Sequence, residues 1–427
     1  MSILDLLKNA PNSEQPIANA NGVQAFAQEL LLTAKVGTVA LNVASDISAY
    51  NDMLEIRRRM PELYAHLEGL LKGEGVNNFP LLYDHETSRV VVMDDATWGI
   101  PENWFFIGDI HADFFALHTL LNTIKCECPD FRLVFMGDLV DRGEQPAECL
   151  FLLMQWAREY PERIIWLAGN HDIAFTWLEE ERKFISSVRP SEFLDFLNID
   201  DTMSGFRKLL GDFLIKVTNN LPRAVLFPDG LLASHGGFPL VDKQEAAKAL
   251  ETKESFFDWL NTPECLQDFT WTRITRYPKR QPNRSSKGCS YGFKDFEALC
   301  SLKPEWFPAK RLLTGHEHPE FGWEDFPTYL NNPAATICGF GFDYMLDAPA
   351  KFHKYKHKLV MGRYQLDSLP QKIEVAYNGE DLAKLYPPAP VEVSESEVIE
   401  TMTESPELPP VELTVEEVSQ ANPQSFD

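Results

Sequence analysis

No stretch of this 427-residue sequence is apolar for long enough to cross a bilayer. The most apolar early segment, Leu30 to Ala44, is short and is interrupted by Lys35 and Gly37. The start lacks a basic region followed by an apolar stretch and a small-residue cleavage site, so no signal peptide is expected. Cysteine is sparse: seven residues, an odd number, with only Cys126 and Cys128 close together. That spacing fits neither a disulfide framework nor a zinc ribbon, and reduced thiols in a cytoplasmic protein are the expectation. Positive charge is also scarce. Lys and Arg number 39 against 64 Asp and Glu, a formal net charge of -25. This argues against a partner bound by covering phosphates, so no nucleic acid and no membrane is expected as a partner. The imbalance is uneven: Pro387 to Asp427 holds ten acidic residues and no Lys or Arg, leaving -25 minus -10, or -15, for the rest.

What the chain does have is a 44% hydrophobic, 12% aromatic composition that can fill a core, and five apolar runs that each stop at a polar word. Trp-Phe-Phe-Ile leads to Gly108-Asp109-Ile110-His111, and Leu-Val-Phe-Met to Gly137-Asp138-Leu139-Val140-Asp141-Arg142-Gly143. Ile-Ile-Trp-Leu-Ala leads to Gly169-Asn170-His171-Asp172, Leu-Leu-Ala to Ser234-His235-Gly236-Gly237, and Leu-Leu to Thr314-Gly315-His316-Glu317. Between the first three words, Phe114 to Ile124 and Pro146 to Trp156 show helical apolar spacing. The order strand, helix, strand, helix, strand predicts βαβ units, and ligands of such sheets collect at the carboxyl ends of strands.

Around this α/β core, residues 1–100 read as a mainly helical accessory region, with a β-branched run at Arg89 to Met93. Residues 101–385 form the expected catalytic domain, within which 172–222 read as a helical insertion. Lys358 to Leu366 and Lys372 to Tyr377 read as late strands. Residues 386–427 are Pro- and Glu-rich and are expected to be disordered.

Asp109, His111, Asp138, Asn170, His235 and His316 all fall at strand ends. Asp109 and His111 are two apart, so on an extended chain they face one side. Each word alone is commonly a turn or a helix cap. Five together, each after an apolar run, supply ligands for two divalent ions, and a set of Asp, Asn and His suits Mn, Fe or Zn better than Mg or Ca. Two metal ions about 3.5–4 Å apart neutralise phosphoryl charge and generate a nucleophile at neutral pH.

These words resemble the signature of the phosphoprotein phosphatase family of calcineurin-like metallophosphoesterases, over roughly Phe105 to Glu317. The resemblance implies a β-sandwich flanked by helices with two metals at one edge. It implies Asp109 and His111 on the first metal, Asp138 bridging, and Asn170, His235 and His316 on the second, with Mn²⁺ foremost and Fe or Zn as alternatives. It implies His171 as the general acid oriented by Asp141, Arg142 binding phosphoryl oxygens beside Asn170, and Arg273 as a second arginine. Arg276, Arg284 and Lys287 are rivals for that last place. The expected activity is hydrolysis of phosphoserine and phosphothreonine in phosphorylated proteins by direct attack of a hydroxide held by the metal pair. Asp172 stands where protein phosphatases usually have Glu. Gly-Asn-His-Asp also occurs in diadenosine tetraphosphatases, so a dinucleotide polyphosphate or other nucleotide hydrolase is the alternative, and a metal-bound scaffold the non-enzymatic one. His318, two beyond His316, is a candidate to face the site as well, with a supporting or surface residue as the stronger reading. Six basic and no acidic residues between Arg273 and Lys287 form an island that either rims the cleft or is a solvated loop.

Overall fold

The computed structural model describes residues 48–59, 89–93, 104–160, 163–200, 204–240, 248–283, 287–302, 304, 306–364 and 367–387. Most of the expected helical N-terminal region, Arg284 and nearly all of the acidic tail lie outside the described residues.

Two sheets are stacked. The five-stranded sheet has the order Gln371–Val375, Leu359–Arg363, Trp104–Ile107, Arg132–Phe135, Ile164–Trp166. Its last three strands are parallel, with Phe106 opposite Val134 and Val134 opposite Ile165. Helices Phe114–Glu127 and Pro146–Glu159 make the crossovers. The six-stranded sheet has the order Val90–Val92, Ala224–Leu226, Leu231–Ser234, Arg311–Thr314, Ala334–Ile337, Trp323–Asp325. The expected late strands form the antiparallel edge of the first sheet.

The apolar runs are continuous because both faces of these strands are covered. Trp104, Phe106, Val134 and Ile165 point between the sheets and meet Val225, Phe227, Ala233 and Leu313. Their neighbours Phe105, Ile107, Leu133 and Trp166 point the other way and pack under the two crossover helices and the helix Ser204–Asn220. The outer face of the second sheet is covered by helices Lys253–Leu260, Pro263–Trp271 and Phe293–Cys300.

One segment departs from expectation. The stretch after His171 begins with an antiparallel hairpin, Phe175–Leu178 against Lys183–Ser186, before helices Glu192–Leu197 and Ser204–Asn220. Trp177 and Phe184 pair across it with ring centres 4.8 Å apart, a cross-strand aromatic contact that stabilises the hairpin ahead of the helices.

Candidate metal centre

The strand stops converge because their loops hydrogen-bond to one another. Ile110 and His111 donate their N–H groups to the Asp138 carbonyl at 3.0 and 2.9 Å. The His316 N–H reaches Asp109 Oδ1 at 2.9 Å, and the His171 N–H reaches Asp138 Oδ1 at 2.8 Å. An isolated bridge between Asp109 and Cys338 joins the two sheets at this edge.

The turns are tight. Among the described residues, eight that are not glycine have left-handed φ; five of these lie in the motif words, His111, Asp138, Asp141, Arg142 and His316, and a sixth, Ala112, directly follows the first word. Backbone strain of this kind collects at functional sites. Gly137 has φ 94°, and a Cβ there would lie 2.3 Å from the Gly169 nitrogen. A Cβ on Gly169 would meet Asp138 Oδ1 at 2.1 Å, so this close approach requires both glycines.

Asp138 is at the centre. Its Oδ2 lies 3.7 Å from His111 Nε2 and 3.3 Å from His235 Nε2. On one side, Asp109, His111 and His318 bring one ligand atom each within 4.8 Å of one another; on the other, Asp138, His235 and His316 do so. Asn170 Oδ1 is 2.9 Å from His235 Nε2, which is 3.2 Å from His316 Nδ1. All six residues expected as ligands therefore stand together, with Asp138 common to the two halves.

The side chains fit divalent ions for a specific reason. His111 Nδ1 donates to the Val140 carbonyl at 2.9 Å, which leaves Nε2 as a bare lone pair. That atom is buried without a hydrogen-bond partner and faces carboxylate oxygens of Asp109 and Asp138 at 3.8 and 3.7 Å. A lone pair turned toward anionic oxygens is unfavourable unless a cation sits among them. His235 shares only the first feature, its Nδ1 against the Met136 carbonyl at 3.0 Å, while its Nε2 meets Asn170 Oδ1 at 2.9 Å and Asp138 Oδ2 at 3.3 Å. Burial opposes a charge on His235, but Asp138 and Asp109 outweigh it and raise its pKa to about 9. Burial lifts Asp109 to about 6 against the pull of His235. Burial, then Arg142, hold His111 well below the usual range.

Beside the cluster, His171 Nδ1 is 2.6 Å from Asp141 Oδ2, and His171 Nε2 is 3.5 Å from an Arg142 guanidinium nitrogen. Arg273 donates to the His316 carbonyl at 3.0 Å and to Glu317 at 3.1 Å, so it borders the second half. Arg276 instead pairs with Glu324, and Lys287 lies over Trp271.

His318 faces the site, the weaker of its sequence readings. Its side chain is 8% exposed, and its Nε2 is 3.2 Å from Asp109 Oδ2. The two-residue spacing from His316 repeats that of Asp109 and His111, and it is the signal that makes His318 a candidate in the sequence. Asp172 is turned away from the cluster. Its carboxylate accepts the N–H groups of Asp138, Leu139 and Gly169 at 2.8, 2.9 and 2.9 Å, bracing the Asp138 turn.

The site can be set beside known proteins. The family model described as calcineurin-like phosphoesterase matches residues 105–320. A Caenorhabditis elegans protein named as a candidate serine/threonine-protein phosphatase is 32% identical over 120 residues, 26% of this chain and 33% of that one. The chain thus spans about a third of that relative's length. Among solved structures, a Saccharomyces cerevisiae serine/threonine phosphatase, titled as similar to human phosphatase PP5, is 14% identical with a TM-score of 0.48, covering 75% of this chain and 91% of that one. A cold-active protein-tyrosine phosphatase of a Shewanella species is 16% identical with a TM-score of 0.38, covering 70% and 84%. With half of its length matched, and the α/β architecture and the His and Asp cluster of a phosphoesterase hydrolase, the chain belongs to the calcineurin-like phosphoesterase family.

Proposed function

We propose that the protein is a metal-dependent phosphomonoesterase that hydrolyses phosphoserine and phosphothreonine in proteins. The observation that carries this reading is the His171–Asp141 pair at 2.6 Å, directly beside a cluster organised about Asp138. Asp109, His111 and His318 would hold one divalent ion, Asn170, His235 and His316 the other, and Asp138 both. Mn²⁺ is the first choice for such mixed nitrogen and oxygen donors, with Fe or Zn as alternatives. When bound, such a pair supplies charge neutralisation for phosphoryl oxygens and lowers the pKa of an attacking water.

The chain's own groups do the rest. Arg142 has no carboxylate within ion-pair distance among the described residues and can offer its planar fork to two phosphoryl oxygens. Asn170 and Arg273 flank the same space. Asp141 takes the Nδ1–H of His171, which aims Nε2 into the site. From there Nε2 gives its proton to the leaving serine or threonine oxygen, a contribution of about 10²–10⁴-fold. Arg142 lies 3.5 Å from that nitrogen, so the phosphoryl group and the proton donor share one face.

Asp172 does not favour a dinucleotide substrate, because its carboxylate is spent on three backbone N–H groups rather than directed at the reacting space. The seven cysteines are free thiols, which supports a reducing compartment such as the cytoplasm. No described helix is long and apolar enough to cross a membrane. Purified protein with Mn²⁺, offered a phosphoserine peptide and diadenosine tetraphosphate side by side, tests the reading: faster turnover of the peptide supports it, and preference for the dinucleotide overturns it.

A further inference from the structure

Arg142, the proposed phosphate-binding arginine, sits on a strained turn. It follows Asp141, and both residues have left-handed φ, 69° and 68°. Among the described residues no carboxylate lies within ion-pair distance of its side chain: the guanidinium lies over the Tyr344 ring at 5.1 Å and next to His318 and His171, and its buried Nε has no hydrogen-bond partner there. Where the fork points is therefore decided by the backbone that carries it.

That backbone is gripped from two sides by residues outside the five motif words. Glu192 Oε2 accepts the Arg142 N–H at 2.9 Å. Lys351 Nζ donates to the Arg142 carbonyl at 2.5 Å. The next residue of the Glu192 segment also participates, since the Phe193 N–H reaches Asp141 Oδ1 at 2.9 Å. Lys351 is 6% exposed as a residue, and its ammonium group also lies over the Phe342 ring at 5.6 Å. Glu192 and Lys351 both line a cavity of about 380 Å³ that adjoins Arg142 and Tyr344. A buried charged side chain ending on a backbone carbonyl is costly unless it organises something. Here each of the two contacts fixes one peptide unit of a residue in a strained conformation.

We infer that Glu192 and Lys351 are positioning residues that clamp the Arg142 backbone and so aim its guanidinium at the phosphoryl group, an inference that rests on the phosphatase reading above. The clamp joins the segment after His171 and the segment after Phe342 to the substrate-binding side of the centre. Neither clamp residue touches the atoms expected to hold metal, so the clamp governs phosphate affinity and not metal loading.

The test compares the full-length wild-type protein with Lys351→Met, Glu192→Ala and Lys351→Arg. The readouts are orthophosphate affinity by calorimetry, Mn²⁺ affinity, and KM and kcat for p-nitrophenyl phosphate. Lys351→Met and Glu192→Ala should each raise the phosphate dissociation constant and KM together by about tenfold, as expected for losing a hydrogen bond to a charged group. kcat should move by less than about twofold, the pattern of lost uniform binding. Mn²⁺ affinity should hold, and Lys351→Arg should recover most of the loss. Wild-type phosphate affinity and KM in both truncating variants overturn the clamp, as does a parallel collapse of Mn²⁺ affinity. Should Lys351→Met not fold, the partly exposed Glu192→Ala carries the test. A wild-type protein inert toward phosphoserine peptides, with the phosphate effect intact, removes the substrate reading and leaves the clamp standing.

Discussion

Asp138 meets two demands at once: one oxygen receives the His171 N–H, while the other faces His111 and His235. On the proposed function this separates the residues that would hold metal from those that would move protons, and substitutions should separate them too. His171→Asn is expected to keep Mn²⁺ affinity and lose about 10²–10⁴-fold in kcat, the worth of a positioned general acid; near-normal turnover would contradict the assignment. His318→Ala, in contrast, should weaken Mn²⁺ binding by at least about tenfold, whereas a residue outside the ligand set would leave it unchanged. Protons compete with metal here. Asp109, raised to about 6, binds its proton more tightly in the fold than in an unfolded chain, so its ionised form disfavours the metal-free fold above that pH. His235, raised to about 9, holds a proton through neutral pH that a cation must displace. Mn²⁺ affinity should consequently rise with pH between about 5 and 7, as both groups release protons to bind metal. Affinity that is flat across that range would show that these two groups are not ligands.

At the scale of elements, the sequence was readable where local pattern and tertiary role coincide. The runs at Trp104, Arg132 and Ile164 are strands because both faces are buried, and the crossover helices follow their apolar spacing. Six ligand candidates were legible because each directly follows such a strand. His318 stood out less, since no apolar run directly precedes it and only its spacing from His316 pointed to the site, where it meets Asp109. Glu192 and Lys351 carried no motif at all; their contacts with Arg142 span 50 and 209 residues of chain. The hairpin after His171 was hidden by the helical pattern that follows it. Residues 49–59 are helical as expected, but what anchors them comes from the far end of the domain. Asp381 accepts the Ser48 hydroxyl and the Ala49 N–H at 2.5 and 2.7 Å, capping that helix. Ala49, Met53 and Ile56 then join the core above the five-stranded sheet. Asp381→Ala should cost about 1 kcal/mol of stability, the usual worth of an N-cap, read by denaturant titration with Mn²⁺ affinity unchanged. An unaltered unfolding midpoint would show that the cap contributes nothing.

Across the whole molecule, two sheets and their flanking helices hold five loops in register at one edge. The sheets are joined there by the Asp109–Cys338 bridge and by the His316 N–H on Asp109. Sequence order alone gave the parallel core but not the second sheet, in which Val90–Val92 pairs with Ala224–Leu226 over more than a hundred residues. Long-range pairing of that kind leaves no local trace. The proposed chemistry requires Asp138 to serve two ions, and the number of metal ions bound per chain tests that directly. Protein loaded with Mn²⁺, freed of excess and analysed by elemental mass spectrometry, should carry two ions per chain, with Asp138→Asn, still folded by circular dichroism, losing both. A single ion in the wild type, or two retained in Asp138→Asn, would contradict it.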